Sequence, residues 1–450
     1  MIPCRIATLS PYLDISFQAS TFHRLADELR RDALADIDPR IAARRHDLRT
    51  MQWIVCGAVM THEMRWMAEH FDVVAFVDDW YVGEEREDRP VISTEMWIDR
   101  IKADPKLASV VMFETPDEYD HYYRVALCFD APVVSLLQME RLARTEGVPE
   151  FKPWAHFSVA FFDEVLTSCD RLERVAAMLD EPFSRLSFYS ALNYRLTRNP
   201  GFLRAVTVGE APAYRKDEDE RIDAQVFGYF AYQHDRRFIE LGADDILVDG
   251  GAFDGVSMIQ MARATRGKFR RLDVYEPQPS FLEKCKASRT AIGERFGEDV
   301  AAKIRLHGAG LWSERTTLEF QADFYADEDL RDPFWSPLGA HLVESGMVDP
   351  RATGATRVPV VTIDDESPDA TFIKLEIEGA ELRALHGARK TLVANRPKLS
   401  IAAYHKPADL FELPEFLGSL DLDYTLGFRH HHPTLFISSV FYAVPNRISR

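Results

Sequence analysis

No apolar run in this sequence approaches the roughly 20 residues that a helix needs to cross a bilayer. The opening stretch, MIPCRIATLSPYLDISFQ, lacks the long apolar core and the cleavage site of a signal peptide. Cysteine is scarce: Cys4, Cys56, Cys128, Cys169 and Cys285 are scattered, odd in number and never spaced as CxxC. That pattern argues against a disulfide framework or a zinc–thiolate site. Basic residues are in deficit, with 54 Lys and Arg against 72 Asp and Glu, a formal net charge of −18. General nucleic-acid binding needs a basic surface that displaces phosphate counterions, so this balance argues against it, although a local basic pocket stays open. Internal repeats and low-complexity tracts are missing too. What is present is 450 residues, 46 % apolar and 28 % charged. That is enough, at roughly 150 residues per domain, for two to three cores. The default expectation is a reduced, cytoplasmic, multidomain protein.

Residues 1–50 read as a helical lead-in. Between 51 and 145, short apolar runs (Trp53–Cys56, Val73–Val77, Ser109–Phe113, Pro132–Leu137) alternate with helical patterns (Thr61–His70, Thr94–Ala103, Pro116–Leu127). Strands alternating with helices imply a parallel sheet of βαβ units. Residues 146–230 read as a helical connector ending in a polar linker, Gly209–Asp223. A second α/β alternation fills 231–450. Its last two strand candidates, Tyr424–Arg429 and Phe436–Val444, have no helix between them and are expected to pair antiparallel. The stretch 322–355 has little periodicity, and so long an irregular insertion reads as a functional lid or loop.

Four elements of the C-terminal part carry chemistry. VDGGAFDG (Val248–Gly255) follows an apolar strand and opens a helix. Asp249, Gly251 and Gly255 fit D-x-G-x-x-x-G, where glycines permit close backbone approach and helix N-terminal amides face a polar group. Glycine also serves such turns for geometry alone. In VYEP, Glu276 ends the next strand, 27 residues after Asp249. An acid there can accept hydrogen bonds from both ribose hydroxyls. No GK[ST] follows, so a phosphate-cradling loop is missing, and the pair favours S-adenosylmethionine over NAD or ATP. In FIKLEIEGAELRALHGA (Phe372–Ala388), strand alternation predicts Lys374, Glu376 and Glu378 on one face at the strand's carboxyl end. A plain Lys374–Glu376 pair is the bland alternative, and Glu381 reads as a complement to the helix N-terminus. In AAYHKPADL, His405 ends another strand and Asp409 lies in the following helix. The run Arg429-His430-His431-His432 ends the penultimate strand. Those histidines could act as bases, bind metal or hold the fold. Without an i,i+4 histidine pair or a carboxylate at fixed spacing, no metal site is assigned.

VDGGAFDG, VYEP, IKLEIEGAELRALHGA, KLSIAAYHKPADL and the closing FRHH…VFYAV resemble, in order, the motifs of FkbM-family S-adenosylmethionine-dependent methyltransferases. LDEPFSRLSFYSALNYRLT resembles the segment that one subgroup places between a degenerate Rossmann-like domain and the methyltransferase domain. The resemblance covers roughly residues 50–445. Two departures stand out. Glu376 occupies a position where the family usually has aspartate, and LTRN (Leu196–Asn199) replaces LTGD. The resemblance implies a class I methyltransferase, with a Rossmann-like seven-stranded sheet, beside the smaller N-terminal Rossmann-like domain and the helical connector. It implies O-methylation of a sugar, glycan or related natural-product hydroxyl. Cofactor-binding residues are then Asp249, Gly250, Gly251, Ala252, Gly255, Glu276, Pro277 and Gly310. The candidate general bases, unranked, are Glu376, Glu378 and His405.

WIVCGAVMTHEM (Trp53–Met64) begins like a dinucleotide turn, but Val59 and His62 replace two of its three glycines. Asp78 and Asp79 fall about where a ribose acid belongs. The lost glycines argue against NAD, and hence against an oxidoreductase. A structural or substrate-orienting role fits better. A non-catalytic module that binds S-adenosylmethionine or a nucleotide for regulation is the alternative to an enzyme. Retained acids at Asp249, Glu276 and Glu376 argue for catalysis.

Overall fold

The computed structural model describes residues 14–57, 61–112, 116–149, 159–199, 201–204, 206–207, 239–321, 341–343, 355–431 and 439–446. The chain divides into two compact units. One comprises residues 1–169, 189–206 and 433–436, and the other 170–188, 207–432 and 437–450.

Among its described residues the first unit holds six strands: β1 (Gln52–Cys56), β2 (Asp72–Val77), β3 (Glu85–Arg86), β4 (Arg89–Ile92), β5 (Ala108–Val111) and β6 (Val133–Ser135). They form one sheet in the order β3-β4-β2-β1-β5-β6, parallel throughout except for the β3–β4 hairpin. Central β1 and β5 are apolar on both faces because helices cover both, as expected of a parallel sheet. Trp53, Val55 and Val110 fill one face, and Ile54, Cys56 and Val111 the other. Helix starts follow local chemistry. Asp14 accepts the Ser16 and Phe17 amides ahead of Ile15–Arg31, and Ser135 and Gln138 form a reciprocal capping box for Leu136–Thr145.

The second unit holds β7 (Ile246–Gly250), β8 (Arg271–Tyr275), β9 (Ile304–His307), β10 (Gly310–Leu311), β11 (Thr316–Gln321), β12 (His341–Val343), β13 (Ala355–Val361), β14 (Phe372–Leu375), β15 (Lys398–Ala402), β16 (Tyr424–His430) and β17 (Ser439–Pro445). Seven of these make one sheet, β16-β17-β15-β14-β7-β8-β9. Only β17 runs against its neighbours, so the final pair is antiparallel as expected. The strand order reverses beside β7, which places the sheet's switch point between β7 and β14. A separate four-stranded sheet, β10-β13-β11-β12, was not foreseen in the sequence. Most of the proposed lid, 322–355, lies outside the described residues.

Two further differences have plain causes. A single helix is expected over Ala380–Ala394, yet it splits into Glu381–His386 and Arg389–Asn395. The break falls at Gly387, where a Cβ would sit 2.0 Å from the Trp312 carbonyl oxygen. The third strand of the site ends at Leu375, not Ile377, because Glu378 (φ +53°) and Gly379 (φ +90°) both turn left-handed. Glu376 and Glu378 therefore leave the sheet on a turn, and the expected strand face does not extend to them.

Residues 170–188 pack within the second unit. Asp180 accepts the Leu426 amide at 2.7 Å, and buried Ser184 Oγ accepts the Phe428 amide at 2.9 Å and Arg429 Nη1 at 2.8 Å. Ser184→Ala leaves both donors buried without that acceptor. Denaturant unfolding should show a loss of about 1–3 kcal/mol, and an unchanged midpoint would contradict this account.

Candidate active site

Four chain segments converge at the carboxyl edge of β7, β8, β14 and β15. The first is the turn after β7. Gly251 (φ +76°) lies so close to the chain after β14 that a Cβ would stand 1.9 Å from the Glu376 carbonyl oxygen. Gly255 (φ +83°) begins the helix Val256–Ala264 and packs on Ser288 and Cys285. Both glycines are demanded by chain-on-chain packing. Gly250 and Ala252 are held against the same turn, and the amides of Gly251 and Ala252 donate to the Tyr275 carbonyl.

Asp249 is wholly buried. Its Oδ1 is 3.0 Å from Lys374 Nζ, and its Oδ2 accepts from Ser257 Oγ. Lys374, also buried, donates to the carbonyls of Gly250 (3.1 Å) and Gly251 (2.7 Å). Glu376 is farther off, at 3.8 Å. The sequence noticed Lys374 but paired it with Glu376, whereas its principal partner is Asp249. The acid of the glycine motif finds its cation inside the chain.

Glu276 ends β8 beside the same turn. Its Oε2 accepts the Phe253 amide and its Oε1 the Gln278 amide, each at 2.9 Å. Each oxygen keeps a further lone pair. Burial pushes its pKa up to about 7, against the pull of those two amides. Pro277 follows, half-buried, ahead of the helix Pro279–Phe296. Gly310 lies in β10, and its neighbour Leu311 abuts Gly250.

The proposed bases come together after β14 and β15. Tyr404 donates its hydroxyl to Glu376 Oε1 at 2.6 Å. Burial raises Glu376 to about 8, which that hydrogen bond only partly offsets. Glu378, also raised by burial, to about 7, stands 3.7 Å from His405 Nε2. His405 Nδ1 faces Glu381 Oε1 at 2.9 Å. Burial alone would disfavour a charged imidazole. Glu381 and Glu378 together outweigh it and carry His405 up to about 10. Glu381 also accepts the Ile377 amide at 2.8 Å, so it joins the site as well as closing the helix entry. Tyr404 and the part played by Glu381 were not legible in the sequence. The signal was the YH pair just past a strand end, facing a turn with three acids.

Other sequence candidates hold the fold. His430 Nδ1 meets Ser439 Oγ and His431 Nε2 meets Tyr442 OH, each at 3.0 Å, and Arg429 pairs with Glu181. His432 lies outside the described residues. In the first unit, Asp78 accepts the Trp80 amide, and Asp79 accepts both the amide and hydroxyl of Thr94. Both acids are thus engaged by their own chain. Val59 and the His62 side chain lie outside what the structure describes.

The protein-family model for the methyltransferase FkbM domain matches residues 249–429. The chain carries an FkbM-family methyltransferase domain. The match begins at Asp249 and ends at Arg429, so it contains the glycine turn, Glu276, Glu376, Glu378, Glu381 and His405. In fold the chain is similar to the crystal structure of methyltransferase FkbM from Methylobacillus flagellatus KT. The TM-score is 0.73 at 22 % identity, over 96 % of this chain and 100 % of that one. That likeness of fold therefore extends beyond the FkbM domain itself. A precorrin-6y C5,15-methyltransferase from Geobacter metallireducens GS-15 gives a TM-score of 0.27 at 12 % identity, over 54 % of this chain and 94 % of that one. No curated protein matches the sequence. Among the described residues no helix is long and apolar enough to cross a membrane.

The FkbM domain depends on its buried ion pair. Lys374→Met strands Asp249 in the sheet centre and releases two turn carbonyls. Calorimetric or chemical unfolding should record a loss of about 3–5 kcal/mol. A variant as stable as the parent would show that the pair does not hold the turn.

Proposed function

We propose that the FkbM domain is an S-adenosylmethionine-dependent O-methyltransferase acting on a hydroxyl of a sugar, glycan or related natural product. The observation that carries this reading is the juxtaposition at one sheet edge of two acids. Glu276 is fixed by amides of the glycine turn, and Glu376 is fixed by Tyr404 on the next strand's exit. The cofactor fits this edge because the donor set is acidic and lacks a phosphate cradle. A sulfonium and ribose hydroxyls suit buried carboxylates better than a pyrophosphate does. When bound, S-adenosylmethionine supplies a methyl group attached to a positively charged sulfur.

The chain's own residues do the rest. Glu276 receives the ribose hydroxyls, while Gly250, Gly251, Ala252 and Gly255 give the turn its close approach. Asp249 acts through Lys374 as a positioning residue. Pro277, directly after Glu276, and Gly310, next to the Leu311 that abuts Gly250, complete the cofactor-binding set. Glu376 takes the acceptor's proton. Both ring nitrogens of His405 face carboxylates, which leaves Glu376 better placed as base. Glu378 and His405 line the acceptor side. Much of the rate comes from holding acceptor and methyl donor in line. The acidic net charge favours a small-molecule or glycan acceptor over nucleic acid, and the scattered cysteines fit a reducing, cytoplasmic setting.

Calorimetry of the full chain with S-adenosylmethionine and NAD side by side tests the cofactor. S-adenosylmethionine should bind, and Glu276→Ala should weaken it by roughly 1.5–3 kcal/mol. Because burial lifts Glu276 to about 7, its ionised form prevails above that pH, so binding should be tighter at pH 8 than at pH 6. Tight NAD binding without S-adenosylmethionine binding would overturn the reading.

A second measurement addresses the base. Glu376→Gln should fold and bind cofactor normally yet transfer methyl ~10²–10⁴-fold more slowly. In the parent protein, turnover should climb as pH rises through about 8, where Glu376 gives up its proton. Near-normal turnover in Glu376→Gln would remove this residue from the chemistry.

A further inference from the structure

His405, placed on the acceptor side, also belongs to a second cluster. Glu381, His405 and Asp409 are all buried, and one ligand-type atom from each lies within 4.8 Å of the others. They come from three different pieces of chain: the helix entry after the Glu378–Gly379 turn, the exit of β15, and the start of the helix Asp409–Ser419. The ligand set is one imidazole nitrogen and two carboxylates.

Three observations point to a cation. The first is spacing. Metal–ligand bonds of about 2.1 Å put neighbouring ligands of an octahedral ion about 3 Å apart. His405 Nδ1 and Glu381 Oε1 are 2.9 Å apart, a hydrogen-bonded pair whose proton a cation would displace, and the Asp409 ligand atom lies within 4.8 Å of both. The second is an orphan atom. Glu381 Oε2, on the carboxylate that meets the imidazole, is buried with no hydrogen-bond partner. A buried carboxylate oxygen without a donor is costly unless something positive meets it. The third is charge. Glu378, Glu381 and Asp409 all face His405, so even a protonated imidazole leaves excess negative charge, of which exposed Lys406 offsets a part. Two outer contacts also hold the carboxylates as ligands need to be held. The Ile377 amide donates to Glu381 Oε1, and the Lys406 amide donates to Asp409 Oδ2 at 2.7 Å.

We propose that Glu381, His405 and Asp409 bind a divalent cation of the Mn²⁺ class, seated behind the acceptor side of the active site. Two carboxylates and one imidazole suit a hard to borderline ion, which the absence of thiolate in the set reinforces. Glu378, whose side chain is 26 % exposed, reaches from the cluster toward solvent. The site stands beside the groups assigned to methyl transfer, but its test reads the metal directly. Its failure would leave the cofactor and base assignments to their own experiments.

The experiment uses chelator-treated full-length protein at pH 8, titrated with Mn²⁺ and followed by electron paramagnetic resonance. About one equivalent should bind, and the spin-echo modulation of bound Mn²⁺ should carry coupling to one imidazole nitrogen. Glu381→Gln and Asp409→Asn should each weaken binding at least ~10-fold. Glu415→Gln, on the same helix as Asp409 but paired with Arg171, should not. If the ligand variants fail to fold, the nitrogen coupling in the parent protein decides. Absence of stoichiometric Mn²⁺, bound Mn²⁺ without nitrogen coupling, or undiminished binding in folded Glu381→Gln and Asp409→Asn would each overturn the proposal.

Discussion

The buried pair of Lys374 and Asp249 is the constraint on which the rest of the FkbM domain depends. Two charges at 1 % and 0 % exposure are expensive to desolvate, and their mutual attraction alone repays that cost poorly. The chain supplies the remainder through the Ser257 hydroxyl and the carbonyls of Gly250 and Gly251. Those bonds fix where the chain leaves β7 relative to where it leaves β14. Because Gly251 has no side chain, the two exits come within contact of each other. Every acid assigned a task at this edge hangs from one of these exits or from the adjoining ends of β8 and β15.

The first unit makes a contrast from similar materials. It too has a parallel sheet, and Gly57 (φ +92°) follows its central strand. Its edge acids, however, are consumed by local structure: Asp78 closes a turn onto Trp80 and Asp79 caps the helix at Thr94. Buried Arg141 in the same unit is likewise bound internally, by Asp36 and the Ala33 carbonyl. A parallel sheet is therefore not by itself a binding site. What distinguishes the second unit is that several acids are gathered at one sheet edge, where burial raises Glu276, Glu376 and Glu378.

Much of this was legible in the sequence because the signals were local. Apolar runs marked β1, β2, β5 and β6 of the first sheet and the strands of the seven-stranded sheet to within a few residues, but not the β3–β4 hairpin, and the glycine motif and VYEP fell where strands end. The antiparallel last pair followed from the lack of room for a helix. What was hidden depended on contacts distant in sequence. The helix break at Gly387 is imposed by Trp312, some 75 residues earlier, and no property of HGA announces it. The early end of β14 was misread because IKLEIEG alternates like a strand, while Glu378 adopts a left-handed conformation that its residue type does not favour. Lys374 illustrates a subtler limit. Its neighbour in sequence suggested one partner, but parallel register sets Lys374 directly beside Asp249. Register across a parallel pair is what single-sequence periodicity leaves undetermined.

The arrangement of acids at the carboxyl edge carries a last physical consequence. Glu276 is met by backbone amides, Glu376 by a phenol, and Glu378, Glu381 and Asp409 by a single imidazole. Amides and a phenol are dipoles and cannot cancel a full charge; one imidazolium cancels one. The edge is thus built with more carboxylate than its own cations neutralise, and burial first, then the neighbouring carboxylates, lifts Glu276, Glu376 and Glu378 above their ordinary range. A ligand bearing phosphates would add to that imbalance, whereas a sulfonium or a metal cation would relieve it. The excess also explains why the fold invests a buried lysine on Asp249. Without Lys374 the acid at the centre of the sheet would join the uncompensated set, and the turn that both proposed ligands need would lose its anchor.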